Sequence, residues 1–125
     1  MPLVIVQHDP TITDENLASI KKLLKRSCAA ALDCSATHPD GEGALVPDEI
    51  NVRFWPYGPN DDQQFALDVW IIAKHYPTRA ETIQGRAEAI RDDLCRSQFV
   101  EAGARVGVYP TCPIAGWAEG FAGDK

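Results

Sequence analysis

Val69-Trp70-Ile71-Ile72-Ala73-Lys74-His75-Tyr76-Pro77-Thr78-Arg79-Ala80-Glu81 is the stretch that decides the fold, because an apolar β-branched run gives way within it to a helix start. Phe65 to His75 is predicted as a strand centred on Val69 to Ala73, with Val69 and Ile71 on one side and Trp70 and Ile72 on the other. Thr78-Arg79-Ala80-Glu81 has the T-x-x-E form of a capping box, in which the Thr hydroxyl and the Glu carboxylate satisfy amide groups at a helix start. Ile83, Ala87, Ile90 and Leu94 then recur at helical spacing. Arg105 to Tyr109 supplies the next strand, stopped by Pro110 and Pro113.

The same order stands upstream. Pro2-Leu3-Val4-Ile5-Val6-Gln7 is predicted as a strand buried on both faces. A helix follows from about Thr13 to Leu32, with Leu17, Ile20, Leu24, Cys28 and Ala31 as its apolar stripe. Cys34 to Pro47 is rich in Gly and Pro and reads as a loop. Ile50, Val52 and Phe54 then alternate with Asn51, Arg53 and Trp55, and Pro56 to Asp62 forms a turn that joins this strand to an antiparallel third. A shift of 66 residues lays Leu17 on Ile83, Leu24 on Ile90 and Cys28 on Leu94. The expected architecture is therefore α+β: two tandem β-α-β units forming a four-stranded mixed sheet with both helices on one face, in a single domain spanning 1–125. The strands carry large apolar groups on both sides, so the uncovered face predicts self-association. A ferredoxin-like monomer has the same element order and would make the chain a non-catalytic binding module.

Composition narrows the function. The chain of 125 residues has 12 Lys and Arg against 18 Asp and Glu, a formal charge of −6. That deficit of cations argues against a nucleic-acid partner, whose phosphates are bound by Lys and Arg. Leu3 to Val6 is the longest apolar run, far too short for a membrane span, and a cytoplasmic location is expected. Cys28, Cys34, Cys95 and Cys112 form no CxxC pair, and His8, His38 and His75 are too dispersed to converge, so no metal site and no cofactor are expected.

With each unit pairing its strands in parallel, one edge of the sheet gathers Pro2, the loop from His38 to Glu49, the helix start at Arg79, and the stretch from Tyr109 to Glu119. Small residues after an initiator Met permit its removal, and Pro2 would then present a secondary amine. An α-amino group titrates near about 7.7–8.0, and an apolar pocket or nearby cations lower that value toward the range useful to a general base. Arg79, expected at the first helical position, would clamp a carboxylate there. Glu119 sits in a Gly-flanked aromatic segment where partial burial could let it orient water. Cys112 between prolines reads as packing, and Trp55, Trp70 and Trp117 as core or interface anchors.

Pro2 after Met1, the doubled strand-helix-strand order, and Lys74-His75-Tyr76-Pro77-Thr78-Arg79 before a helix resemble the tautomerase superfamily. The likeness spans nearly the whole chain as architecture and a few positions as motif. It implies a homotrimer with the amino-terminal proline in a pocket at a subunit boundary. Arg79 resembles the arginine that several members hold at the start of the second helix to bind a substrate carboxylate, and Lys74 resembles the isomerase branch. Tyr76 stands where the dehalogenases tend to have a further Arg. Tyr109 and Glu119 resemble the Tyr and the water-activating Glu of the dehalogenase C-terminal segment. His38 and Asp40 lie in a loop that corresponds to partner residues in the dehalogenases and decarboxylases, with no motif to fix them. The function implied is a cofactor-independent isomerase in which Pro2 moves a proton on an unsaturated 2-oxo or 2-hydroxy carboxylic acid. Lys74, Tyr76, Arg79 and Tyr109 would then bind this small acid. A dehalogenase, hydratase or decarboxylase with a protonated Pro2 and Glu119 directing water is the alternative reaction.

Overall fold

The computed structural model describes residues 2–37, 43–114 and 118–123. Its elements are β1 (Leu3–His8), α1 (Asp14–Leu32), β2 (Asn51–Pro56), β3 (Leu67–Ile72), α2 (Pro77–Glu81), α3 (Ile83–Arg96) and β4 (Val106–Thr111), with short 3-10 turns at Ser35–Thr37 and Pro47–Glu49. The strands form one sheet in the order β2-β1-β3-β4. β1 runs parallel to β2, β3 runs parallel to β4, and β1 and β3 are antiparallel at the centre. The arrangement is symmetric about the β1/β3 junction, as the doubled unit in the sequence requires. The 66-residue shift also reappears as a contact, since Ser27 Oγ on α1 donates to Asp93 Oδ2 on α3 at 2.7 Å.

Three local expectations are corrected. The strand β1 lies between β2 and β3, so the turn after β2 crosses over it instead of closing a hairpin. β1 itself alternates between half-buried and buried positions, because helices cover only one face of the sheet. β4 continues through Pro110 to Thr111, which an edge strand tolerates because the missing N–H can face away from the ladder.

The helices follow their local chemistry. Thr13 ends the preceding loop and its Oγ1 accepts from the Asn16 amide at 3.2 Å, with Asp14 and Glu15 in the first turn opposite the helix dipole. The second helix starts differently from the capping box expected at Thr78. Tyr76 is the N-cap without a side-chain bond, and Pro77 takes the first helical position, where its fixed φ and missing N–H cost nothing. Thr78 is thus already helical, and its carbonyl accepts from Thr82 Oγ1 at 2.7 Å. A break at Thr82 separates α2 from α3.

α1 and α3 press Ile20, Leu24, Ile90 and Leu94 onto Val4, Val69 and their neighbours in one continuous core. The other face of the sheet is open, with Trp55 53%, Trp70 43%, Ile72 45% and Tyr109 55% exposed. No helix among the described residues is long and apolar enough to cross a membrane. Leu24 is fully buried at the centre of the core, and Leu24→Ala should lower the stability by about 2–5 kcal/mol in urea unfolding. An unchanged midpoint would contradict this assignment of the core.

Candidate functional site

The strand register builds the edge that the sequence pointed to. Leu3 pairs with Asn51 and Ile72, and Ile72 pairs with Thr111, so the starts of β1 and β2 meet the ends of β3 and β4. The ladder extends one step further: the Asn51 amide donates to the Pro2 carbonyl at 3.0 Å, and the Ala73 amide donates to the Thr111 carbonyl at 2.9 Å. The antiparallel register then sets Pro2 opposite Ala73, immediately before Lys74. Pro2 is buried and Lys74 is exposed.

Arg79 lies just behind this edge, and its side chain turns inward. It is the third helical residue of α2, not the first, and only 1% exposed. Nε donates to the Leu32 carbonyl at 2.8 Å, Nη1 to the Lys74 carbonyl at 2.7 Å, and Nη2 to the Gly43 carbonyl at 3.4 Å. Tyr76 covers the group, with the guanidinium carbon 5.1 Å from the ring centroid and the Lys74 ammonium 5.3 Å from the same ring. The expected position of Arg79 at the first helical residue is therefore corrected, and in this chain its Nε, Nη1 and Nη2 each donate to a backbone oxygen.

Arg86, seven residues on and the fourth residue of α3, completes the arrangement. Its Nη1 donates to the Ala31 and Asp33 carbonyls at 2.8 and 2.9 Å, and its Nε to Thr82 Oγ1 at 2.8 Å. The last turn of α1 contains no basic residue, and Asp33 leaves it in extended backbone instead of the left-handed turn of a glycine cap. Its orphan carbonyls are answered by cations from the second unit, the charge that a helix C-terminus favours. Arg86, Gly43 and Asp33 were not singled out from the sequence. The missing cap after Leu32 was the available signal, because a helix end without its own donors needs them from elsewhere.

Gly43 holds the loop against this cluster. Its φ is +83°, the Cys34 amide donates to its carbonyl at 3.2 Å, and a Cβ there would collide with Cys34 Sγ. Asp33 braces the same loop, accepting from the Ser35 hydroxyl at 2.7 Å, the Ser35 amide at 2.8 Å and the Leu45 amide at 3.3 Å. The Ser35 bonds, then the Leu45 amide and Arg79, hold the Asp33 carboxyl below its ordinary range. Cys112, half-buried beyond the end of β4, has its thiol pushed up by burial, with Arg79 and Arg86 opposing that shift. Cys28 in the core is pushed up to about 12 by burial.

The other expected site residues separate. Tyr109 lies on the open face, stacked at 4.6 Å between centroids on Trp70, two residues before the strand end at the edge. Glu119 is exposed, the position of a solvated surface carboxylate. His38, Asp40 and Trp117 lie outside the described residues. His8, buried, sits at the far end of β1 from Pro2. Among the described residues no group of His, Cys, Asp or Glu could hold a metal ion. A cleft of about 300 Å³ runs between α3 and β4, bounded by Ile83, Ala87, Val108 and Tyr109, and includes none of Pro2, Lys74, Tyr76 or Arg79.

A two-layer α+β chain of paired β-α-β units, with Pro2 just before the start of a central strand, is the class these features define. Native Ps01740 superposes with a TM-score of 0.57 at 17% identity, over 94% of this chain and 99% of the other. MIF2 of Leishmania major gives 0.52 at 17% identity, over 94% and 93% of the two chains. The R7 fused 4-OT, an asymmetric trimer, gives 0.54 at 15% identity, over 98% and 94%. The chain has the fold of the tautomerase superfamily. No protein-family model matches the sequence, and no curated protein does.

Two outcomes test the edge. Gly43→Ala forces a Cβ onto a positive φ, which costs about 1–2 kcal/mol before the Cys34 clash is added; Tm should fall, and Cys34→Ala in the same chain should restore only part of the loss. An unshifted Tm in Gly43→Ala would contradict the close approach. The Asp33 carboxyl is depressed in the folded chain, so its contribution is complete above the unfolded value near about 3.9 and is lost as pH falls through the lower folded value. Asp33→Asn should flatten the acid limb of the stability profile in that window, measured by urea unfolding between pH 5 and 2.

Proposed function

We propose that this chain is a cofactor-independent tautomerase acting on an unsaturated 2-oxo or 2-hydroxy carboxylic acid, with Pro2, freed of Met1, as the general base. The observation that supports this reading most is the placement of Pro2, buried at the start of a central strand and one register step from Lys74. Burial and nearby cations both favour the neutral, proton-accepting form of a secondary amine. In the proposed reaction the Pro2 nitrogen removes a proton from the acid. The resulting enolate is stabilised by the Lys74 ammonium at this edge, and the proton is returned at another carbon of the conjugated system.

The proposed assembly is a homotrimer, and the proposed location is cytoplasmic. The open sheet face supports self-association, since Trp70, Ile72 and Tyr109 form a surface that a second copy would cover. The fused 4-OT neighbour is itself a trimer. Tyr109 would then meet substrate or a neighbouring subunit from that face. Hydration or dehalogenation directed by Glu119 receives no support from the exposed position of that carboxylate.

Ketonisation of phenylenolpyruvate or a hydroxymuconate, followed by absorbance, tests the proposal. Protein whose intact mass begins at Pro2 should turn over. Retention of Met1, or a chemical cap on the Pro2 nitrogen, should reduce the rate by at least about 100-fold, the scale of a lost general base. Equal rates for the free and blocked forms would overturn the proposal.

A further inference from the structure

The question left by the site is which cation meets the carboxylate, and the geometry answers it differently from the motif. A bidentate clamp needs two parallel N–H groups free to face a planar anion. In Arg79 three of the five N–H groups donate to backbone carbonyls, and with the side chain 1% exposed the remaining two do not face solvent where an anion could reach them. Turning it toward a ligand would strip these donors from the Leu32 and Lys74 carbonyls together and leave Gly43 with the Cys34 amide alone, and buried carbonyls without partners are costly. Lys74 has the opposite surroundings. Its side chain is exposed, its carbonyl is fixed at 2.7 Å by Arg79 Nη1, and its ammonium stands 5.3 Å from the Tyr76 ring that also faces Arg79.

We infer that Arg79 is a positioning residue that fixes the backbone at the exit of β3, and that the Lys74 ammonium, presented by that backbone beside Pro2, is the group that takes the substrate carboxylate. The inference rests on the proposed function for the identity of the ligand and deepens it. A lysine is a compact, mobile point charge, so this site selects an acid by charge more than by the planar geometry that an arginine fork imposes. Tyr76 keeps the ammonium near one position through its ring face. The ligand class is a small monocarboxylate whose reacting carbon lies close to its charged end.

Binding of phenylacetate to the full chain, followed by NMR chemical-shift titration with phenylacetamide as the uncharged control, tests this without turnover. Lys74→Gln should weaken phenylacetate binding by about 10-fold or more, leave phenylacetamide unaffected, and leave Tm within about 2 °C. Arg79→Lys should lower Tm by about 5 °C or more and weaken phenylacetate binding less than Lys74→Gln does. The double variant should bind phenylacetate no more weakly than Lys74→Gln alone, because Arg79 acts through Lys74. Failure of Arg79→Lys to fold is the extreme of the same stability loss, and the Lys74→Gln titration then decides the ligand. Unchanged binding in Lys74→Gln, or an Arg79→Lys variant with native Tm and the larger binding loss, would overturn the inference. Wild-type protein that binds phenylacetate through Lys74 yet ketonises no acid would overturn the proposed reaction alone.

Discussion

A helix that ends without its own cap must borrow one, and α1 borrows it from the second half of the chain. Its carbonyls at Ala31, Leu32 and Asp33 accept from the guanidinium groups of Arg79 and Arg86. Because those arginines sit on α2 and α3, the bonds also lock the two β-α-β units in register at the sheet end where Pro2 lies. Each buried carbonyl left bare would cost about 1–3 kcal/mol, which makes the arginines structural before any question of chemistry arises. Core packing sets where the helices lie; this polar junction sets the shape of the edge.

That edge carries the functional reading. Parallel pairing within each unit and antiparallel pairing at the centre bring the starts of β1 and β2 together with the ends of β3 and β4. Pro2, Lys74 and the Gly43 loop converge for this topological reason. Gly43 is required there because its backbone lies at φ +83° with its Cα against Cys34. The opposite face of the sheet is different in kind, apolar and open, and suits association with copies of the chain better than catalysis.

Periodicity made the fold legible. The α1 stripe, the alternation in β2 and the doubled element order all reported burial, which dominates which element forms and which face turns inward. Boundaries near proline were less legible, since Pro77 starts α2 and Pro110 is accommodated inside an edge strand, outcomes that depend on neighbours the local sequence does not reveal. At the site, Lys74 was pointed to only by the family resemblance, whereas Pro2 could be placed because strand order alone decides which ends meet. The inward turn of Arg79 could not, because it depends on carbonyls at Leu32 and Gly43, distant in sequence and brought near by tertiary packing. Its residue type suggested an anion clamp; its partners make it a backbone brace.

The central claim is that the Arg79 guanidinium belongs to the fold. Solvent exchange of the Arg79 Nε–H proton, observed by NMR on the intact protein with and without a carboxylate ligand, tests it directly. The account predicts a slowly exchanging signal whose protection and chemical shift stay the same when the carboxylate is added. Rapid exchange with water, or a large shift on addition of the acid, would show a side chain available to ligand and contradict it.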